Sequence, residues 1–261
     1  MKRMFTRWAV IAATCTLAAG TAGAADFSDC FVPGEKTEYK IYWMGIPIAW
    51  STTTTETVTE DGRELIRITM IAKTYAAYSH IFEVDDRTEV VIDPETALPL
   101  RHDWVINEGP IHKSHLTTFN HASGKAVFMN RLNRDIREIP IKEDTREIFS
   151  FIYASRHADI KQLAAQKHEL LVTGKLYELG LRIVGEDHIR VPDFGKVASL
   201  EIEPEAEFDG IFIRKGKISF WISQENPRMV TRIKASVAVG GITAKLQQVS
   251  GAADGFWNKK E

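Results

Sequence analysis

Cysteine is scarce in this sequence, whose 261 residues include only Cys15 and Cys30. Cys15 lies in an N-terminal segment that we expect to be removed, so the mature chain has one thiol and no intramolecular disulfide. This shortage excludes the class of small secreted domains held together by disulfides. The hydrophobic core of the roughly 237 remaining residues must therefore stabilise the fold without covalent help.

Long hydrophobic runs are also rare. The uncharged apolar stretch at residues 8–19 follows three basic residues and precedes a run of small ones. This arrangement is typical of a secretory signal peptide over residues 1–24, cleaved after Ala24 or Ala25. No later stretch reaches the roughly 20 apolar residues of a transmembrane helix, so we expect no transmembrane span in the mature protein. The sequence predicts an exported protein, located in the periplasm or secreted.

An excess of positive charge is missing as well. The chain contains 33 basic and 35 acidic residues, and its first 24 residues include three basic residues and no acidic one. The mature protein is therefore mildly acidic, which is unfavourable for binding nucleic acid or an anionic membrane surface. We expect no nucleic-acid partner.

Catalytic motifs are absent from the sequence. It has no G-x-S-x-G, no phosphate-binding glycine loop, no H-E-x-x-H and no C-x-x-C. Asp85 and Asp86 are adjacent, and adjacent strand residues face opposite sides, so they cannot act as a glycosidase pair. We predict no catalytic residue and no cofactor, and an enzyme is the least favoured interpretation.

Four histidines lie close together and are the best candidates for metal ligands: His102, His112, His115 and His121. If residues 108–111 close a hairpin, His115 lies opposite Trp104 and His102 points to the same face, whereas His112 faces the other way. A metal site needs three or four convergent ligands, and this arrangement offers two. We therefore predict no metal site and interpret the histidines as surface or cross-strand packing residues.

Strand-forming residues dominate what is present. From residue 35 to about residue 131, segments rich in Thr, Val, Ile and aromatics alternate with turn residues such as Asp61-Gly62 and Asp93-Pro94. The spacing suits antiparallel hairpins and leaves no room for crossover helices. Strands resume from residue 169 to residue 249. About a dozen strands predict a mainly β fold, a large antiparallel curved sheet or barrel-like structure, because so wide a sheet must hide its edges.

One main α-helix is predicted in mid-chain, near residues 144–157. Apolar residues recur there at helical spacing, and Asp144 and Glu147 have the spacing of a capping box. A second, shorter helix is predicted over residues 161–167.

The chain is predicted to form one folded domain. No repeat or low-complexity segment divides it, so we assign residues 25–250 to a single β-rich domain. Residues 251–261 are predicted to be a disordered tail, despite Phe256 and Trp257.

Several landmarks together resemble the domain of unknown function 3108 family, a group of exported bacterial proteins. The first is P-G-E-K-T-E-Y-K-I-Y-W, from Pro33 to Trp43. The second is E-I-F-S-F-I-Y-A-S-R, where Ser150, Tyr153 and Arg156 match the family's D-x-x-S-x-x-Y-Y-x-R. The third carries the family's two glycines and its W-[LI]-[ST]-x-[DE] ending, at Gly210, Gly216, Trp221, Ser223 and Glu225. The resemblance covers nearly all of the mature chain and implies an exported β-rich protein, but it supplies no catalytic residue.

Four residues are candidates for ligand binding: Trp43, Trp50, Tyr153 and Arg156. The two tryptophans belong to a segment in which bulky side chains occupy both faces of the strands. They form either a ligand platform or the wall of a β-structure. We favour the wall, because aromatic residues dominate β cores. Tyr153 and Arg156 belong to a helix ridge stepping by three from Glu147, where Arg156 is placed to bind an anionic group. The alternative is a polar seam that fixes the helix on the sheet.

We therefore predict an uncharacterised exported envelope protein without catalytic activity. It would hold an apolar or amphipathic ligand, such as a lipid or glycolipid, on the concave side of the sheet. An interior filled by side chains would exclude this hypothesis. The alternative is a structural or assembly partner of another envelope protein, using a sheet edge or the tail with Phe256 and Trp257. An enzyme using Arg156 with Tyr153, or a histidine pair, is less favoured.

Overall fold

The computed structural model describes residues 27–205, 218–236, 239–252 and 255–258. The predicted signal peptide, residues 1–24, lies outside the described residues, as do Gly210 and Gly216 of the third landmark. Within the described ranges, none of the helices has the length and apolarity that crossing a membrane requires.

Fourteen strands occupy these ranges and form one antiparallel sheet. In chain order they are β1 (Lys36–Trp43), β2 (Ile46–Glu60), β3 (Arg63–Thr74), β4 (Asp85–Asp93), β5 (Leu98–Glu108), β6 (Ile111–Asn120), β7 (Lys125–Asn130), β8 (Asp135–Pro140), β9 (His168–Val172), β10 (Lys175–Val191), β11 (Gly195–Glu205), β12 (Ile218–Ser223), β13 (Val230–Ser236) and β14 (Gly241–Ser250). The spatial order runs from β8 through β7 down to β1, then β14 down to β9. Two meanders therefore meet where β1 pairs with β14. The predicted mainly β, antiparallel fold is confirmed.

The turns of this sheet gather at two opposite ends, because every neighbouring pair of strands is antiparallel. We call the end with the β1–β2 turn the upper end and the end with the β2–β3 turn the lower end. The upper end holds residues 44–45, 75–84, 109–110, 131–134, 173–174 and 239–240. The lower end holds residues 61–62, 94–97, 121–124, 192–194 and 224–229.

The sheet curls until its two edge strands, β8 and β9, approach each other. Leu171 donates its backbone N–H to the carbonyl of Arg146 at 2.8 Å, so the segment after β8 pairs with β9 in a short parallel bridge. At the upper end, the β9–β10 turn lies on β7, where a Cβ added to Gly174 would lie 2.7 Å from Cγ of Phe128. Apolar side chains from both edges share a buried cluster. Its members are Phe119, Ala126, Ile141 and Leu171. Side-chain packing and this bridge give the sheet its barrel-like form.

Two short helices connect β8 to β9: α1 (Ile148–Ala154) and α2 (Ile160–Ala164). Helix α1 is shorter than the predicted helix, and the predicted capping box of Asp144 and Glu147 is wrong by one turn. Glu147 is the N-cap: its carboxylate accepts the backbone N–H groups of Phe149 and Ser150, while Ser150 accepts the backbone N–H of Glu147. The bridge at Arg146, which follows a turn at residues 143–144, fixes the chain directly before Glu147 and prevents an earlier start.

Helix α1 packs over the lower end of the concave face. Tyr153 shares a buried cluster with residues of β3, β4 and the 94–97 turn. Cys30 belongs to the same cluster, only 2% exposed, with its Sγ 3.9 Å from the carbonyl oxygen of Ala154. The lower end is therefore closed by packed apolar side chains.

The predicted disordered tail, residues 251–261, needs correction for its described residues. Trp257 is fully buried against Phe194, with ring centroids 4.9 Å apart, and its indole N–H donates to the carbonyl of Pro227 at 2.8 Å. Burying the indole offsets the entropy lost by ordering the chain. This part of the tail covers two lower-end turns.

Candidate functional site

A cavity of about 340 Å³ lies between the concave face of the sheet and α1. Strands β1 to β5 line one side, and strands β12 to β14 line the other. Protein interiors contain few voids larger than a water molecule, so a space of this size is not a packing defect. Its volume lies near the lower end of the range of small-molecule pockets, roughly 300–1,000 Å³. The interior is therefore not filled by side chains, which was the condition that would have excluded the ligand-binding hypothesis.

Alternation along the strands determines which residues line this cavity. On β1 the inward residues are Thr37, Tyr39 and Ile41, and on β2 they are Ser51 and Thr53. The rest of the lining is mostly apolar. Its apolar members include Met70, Ala72, Trp104, Ile152, Met229 and Ile233. A second cavity of about 90 Å³, lined by apolar residues of α1, α2 and β9 to β13, shares part of this wall.

Three buried polar atoms at the cavity wall have no hydrogen-bond partner within the described ranges: Oγ1 of Thr88, Nε2 of His102 and Nε of Arg156. Thr88 is 1% exposed and His102 is 9% exposed. Thr88 pairs with Trp104 across β4 and β5, so His102 is its diagonal neighbour on the same face. A buried polar atom without a partner costs about 1–3 kcal/mol, and native structures contain few of them. Such atoms facing a cavity indicate a place for a polar ligand group.

His102 is neutral at neutral pH. Burial lowers its pKa to about 4 from the usual 6.5, although the nearby Asp103 carboxylate opposes the shift. Its ring stacks beside Trp104, with centroids 5.9 Å apart. A neutral imidazole presents one donor and one acceptor, and Thr88 presents a hydroxyl that can do either. This pair suits an uncharged polar group that both donates and accepts.

Arg156, the predicted anion-binding residue, is paired inside the protein. It donates to both carboxylate oxygens of Glu35, at 2.9 and 2.7 Å, and both side chains are buried. Its guanidinium lies 3.8 Å above the ring of Tyr153, whose hydroxyl is 3.2 Å from Oγ1 of Thr55. The polar-seam alternative fits this geometry, since the first and second sequence landmarks meet in one buried ion pair.

The two tryptophans of the opening β strands lie away from the cavity. Ser51 and Thr53 face inward, so Trp50 faces outward and lines a surface groove beside Thr52. Trp43 lies at the upper end, where its indole N–H donates to the carbonyl of Val239 at 2.9 Å. Of the four predicted ligand residues, Tyr153 and Arg156 line the cavity and the tryptophans do not.

The histidines follow the predicted register. His115 pairs with Trp104, and His102 lies on the same face of the next strand. Nδ1 of His112 and Nε2 of His121 each lie 3.0 Å from an oxygen elsewhere in the sheet. Across the described ranges, no three His, Cys, Asp or Glu residues gather as metal ligands would.

Asp85 and Asp86 face opposite sides of β4, as the alternation predicts. Asp85 is exposed beside Lys73, whereas Asp86 is buried and accepts the backbone N–H of Asn107 at 2.8 Å. Burial and the neighbouring Glu108 carboxylate raise the pKa of Asp86 to about 7, against the effect of the Asn107 hydrogen bond. The carboxylate neighbour of Asp86 is thus Glu108 on β5, which sequence reasoning missed.

Thr88 was also missed by sequence reasoning, and His102 was considered only as a metal ligand. A signal for Thr88 does exist, because it shares the inward face of β4 with Val90 and Ile92. Asp86 lies on that face as well, and a hydroxyl among these buried residues indicates a polar contact inside the protein. Nothing in the sequence, however, shows that this contact lacks a partner.

Comparison with known proteins places the chain in a family and a fold. A family model described as "Protein of unknown function (DUF3108)" matches residues 38–247. A crystal structure of the beta-barrel-like protein of domain of unknown function DUF1849 from Brucella abortus is similar, with a TM-score of 0.51 and 8% identity. The similarity covers 84% of this chain and 98% of that chain, and at this identity it shows the fold alone. No curated protein matches the chain.

Proposed function

The chain belongs to the DUF3108 family of proteins of unknown function, and we propose that this member binds an apolar or amphipathic ligand, such as a lipid or glycolipid, without catalysing a reaction on it. One observation carries the proposal: a mostly apolar cavity of about 340 Å³ with three unpartnered polar atoms on its wall. Ligand pockets combine an apolar lining with a few placed polar groups in this way.

The chemistry of the wall narrows the ligand class. Arg156 is paired with Glu35, and Arg228 donates to the carbonyl oxygens of Ala158 and Arg156 in the segment after α1, contacts that leave its positive charge in place. His102 is uncharged at neutral pH. An ionised group beside Thr88 and His102 would lose its hydration, and neither of these side chains supplies a charge to offset that loss. We therefore expect an apolar body with one uncharged donor-and-acceptor group, such as a hydroxyl, an amide or a protonated acid.

The size of the cavity favours a single acyl chain or a compact ring system. A larger amphiphile, such as a glycolipid, would place one chain in the cavity and its headgroup outside. The adjoining space of about 90 Å³ offers room for a chain end beside Ile148 and Ile152.

Native mass spectrometry of the protein, purified gently from cells, tests the proposal together with extraction of the bound material into organic solvent. The expected result is a stoichiometric apolar adduct. Two neighbouring substitutions form a matched pair: Thr53→Phe fills the cavity, and Thr52→Phe adds the same ring to the outer face. Loss of the adduct only in Thr53→Phe supports the site, whereas a bare wild-type protein or equal retention in both variants refutes it.

A second pair of variants tests the polar anchor. Thr88→Val and His102→Phe remove two of the three unpartnered atoms, those of Thr88 and His102, and keep the shape of the wall. Their extracts should shift from hydroxyl- or amide-bearing molecules toward plain hydrocarbon-like ones. An unchanged set of extracted molecules would show that the two atoms do not contact the ligand.

We also propose that the protein is exported into the cell envelope, on the strength of the signal-peptide pattern in residues 1–24. The intact mass of the protein from the envelope fraction provides the test. A chain that starts at Ala25 or Asp26 is expected, and a chain that retains Met1 would contradict export by this route.

The alternative function, an assembly partner that adds a strand at a sheet edge, has less support. Edge strand β8 is largely exposed, but it carries Asp135, Arg137 and Glu138 and ends at Pro140. Charges and proline on an edge strand are the usual means of preventing strand addition. Binding of a partner through the C-terminal tail also has less support, because the Trp257 side chain is buried within the domain and is not exposed to a partner.

A further inference from the structure

Exposed apolar side chains are concentrated at the upper end of the protein. Among the described residues, eleven large hydrophobic side chains are exposed, and nine of them lie in or within two residues of upper-end turns. The nine are Met44, Ile46, Ile81, Phe82, Ile111, Leu132, Ile136, Leu176 and Val239. The other two, Val127 and Val184, lie within strands, and none lies in a lower-end turn. Scattered exposed hydrophobics need no explanation, but a one-sided set does.

Three adjacent segments form the apolar part of this end, which we call the apolar tip: residues 43–46, 75–82 and 239–240. They adjoin because β3, β2, β1, β14 and β13 are consecutive in the sheet. Met44, which is 65% exposed, lies over Gly240: a Cβ added there would be 2.6 Å from Cγ of Met44. Gly240 has a φ of +78° and leaves room for the methionine.

The apolar tip carries no Asp, Glu, Lys or Arg. Glu83 follows the tip directly, and the lower-end turns contain or adjoin charged residues such as Asp61, Glu95, Lys125, Asp193 and Arg228. The tip does carry Trp43, Tyr75 and Tyr78, the side chains that prefer the boundary between water and lipid. Its composition therefore matches a membrane interface and offers no charges for pairing with a protein.

We propose that the apolar tip inserts into the surface of a lipid bilayer, so that the protein docks on a membrane with its upper end. The tip consists of chain reversals whose exposed side chains, Met44, Ile81 and Phe82, can enter the headgroup layer without a matching groove. The chain has a formal net charge of −2, so attraction to anionic lipid does not drive the contact. Binding comes from apolar burial and should be insensitive to salt.

Docking in this orientation suits the cavity. Helix α1 covers the lower end, whereas Ile41 and Ala72 of the cavity wall lie two and three residues from the apolar tip along β1 and β3. A ligand that leaves the bilayer would enter from the upper end. The membrane contact itself rests on the tip alone and does not require the proposed cavity ligand.

Flotation with vesicles of zwitterionic phosphatidylcholine tests the proposal, using protein purified from cells with its N terminus determined. Wild-type protein should float with the vesicles equally at low and high salt. Met44→Glu and Phe82→Glu should each weaken partitioning about tenfold, since each places a charge in the apolar layer. Val184→Glu is the matched control: an exposed apolar residue within β10, away from the tip, whose substitution should change nothing.

Three outcomes would overturn the proposal. Wild-type protein could stay in the aqueous fraction, the tip variants could float as well as the control, or flotation could require anionic lipid and disappear in high salt. If wild-type protein stays in the aqueous fraction and the tip instead captures a specific protein, the surface would be assigned to a protein partner. Thr53→Phe should float normally, so failure of the cavity proposal and failure of the tip proposal are separable.

Discussion

At the scale of single residues, the ion pair of Arg156 and Glu35 stabilises the helix side of the cavity. Arg156→Met should lower the free energy of unfolding by about 3–5 kcal/mol, because it leaves the Glu35 carboxylate buried without a counter-charge. The double variant Glu35→Leu with Arg156→Met should recover most of the loss. Urea unfolding of the two single variants and the double variant measures this. A loss below about 1 kcal/mol in Arg156→Met would contradict the structural role.

His102 makes stability depend on pH. Its pKa is about 4 in the folded protein and near 6.5 when unfolded, so between these values the unfolded state binds more protons. Stability should therefore rise with pH across this window and reach its full value above pH 6.5. The stability of wild type relative to His102→Phe should increase by up to about 3 kcal/mol from pH 4 to 6.5. Unfolding measured across this range provides the test, and a constant difference would place the histidine in contact with water.

Residue-scale prediction from the sequence reached contacts between residues close together in the chain but not contacts at long sequence separation. The step of three along the helix correctly placed Tyr153 beside Arg156. Glu35, 121 positions from Arg156, is brought to it only by the closure of the sheet. The alternation of β5 and β6 predicted that His115 lies opposite Trp104, because hairpin register is a local property.

At the scale of elements, Glu147 determines where α1 begins. Glu147→Ala should cost about 1–2 kcal/mol, because two backbone N–H groups lose their acceptor. Asp144→Ala, which changes the position first predicted as the cap, should stay within about 0.5 kcal/mol. Thermal unfolding of the two variants compares them directly. The reverse order of costs would place the functional cap at Asp144.

The sequence D-T-R-E-I-F-S contains two overlapping capping patterns, and local rules cannot choose between them. Contacts with Glu169 of β9, 24 residues after Thr145, decide between the two patterns. The Glu169 carboxylate accepts the Thr145 hydroxyl at 2.5 Å, and the Glu169 carbonyl accepts the backbone N–H of Arg146 at 3.2 Å. Thr145 and Arg146, directly before Glu147, are thereby held outside the helix. Helix position thus depends on tertiary pairing, which explains the error of one turn.

At the scale of the whole molecule, closure of the barrel depends on a close contact at Gly174. Gly174→Ala should lose about 1–3 kcal/mol, because its φ is +74° and the new Cβ would lie 2.7 Å from the ring of Phe128. Gly185→Ala is the matched control, since no atom lies within 4 Å of the added carbon. The control should stay within about 0.5 kcal/mol. Equal stability of both variants in urea would mean that the edges are not in contact.

Alternating polarity and turn residues were enough to predict a large curved antiparallel sheet. They were not enough to predict the cavity, because a void depends on how far α1 stands from the concave face. The same limit applies to the C-terminal segment. Its sequence predicts a disordered tail, but Trp257 packs against Phe194 and donates a hydrogen bond to the carbonyl of Pro227. Burial at long sequence separation has no local signature.

The buried thiol of Cys30 provides an intrinsic reporter of breathing motions in this protein. Burial raises its pKa, and the neighbouring Ala154 carbonyl covers its sulfur, so a thiol reagent must wait until α1 and the segment that carries Cys30 move apart. The labelling rate in native buffer, divided by the rate for an unfolded chain, gives the equilibrium constant for that opening. Ligand occupancy should slow the labelling, so one cysteine can follow loading of the cavity in real time.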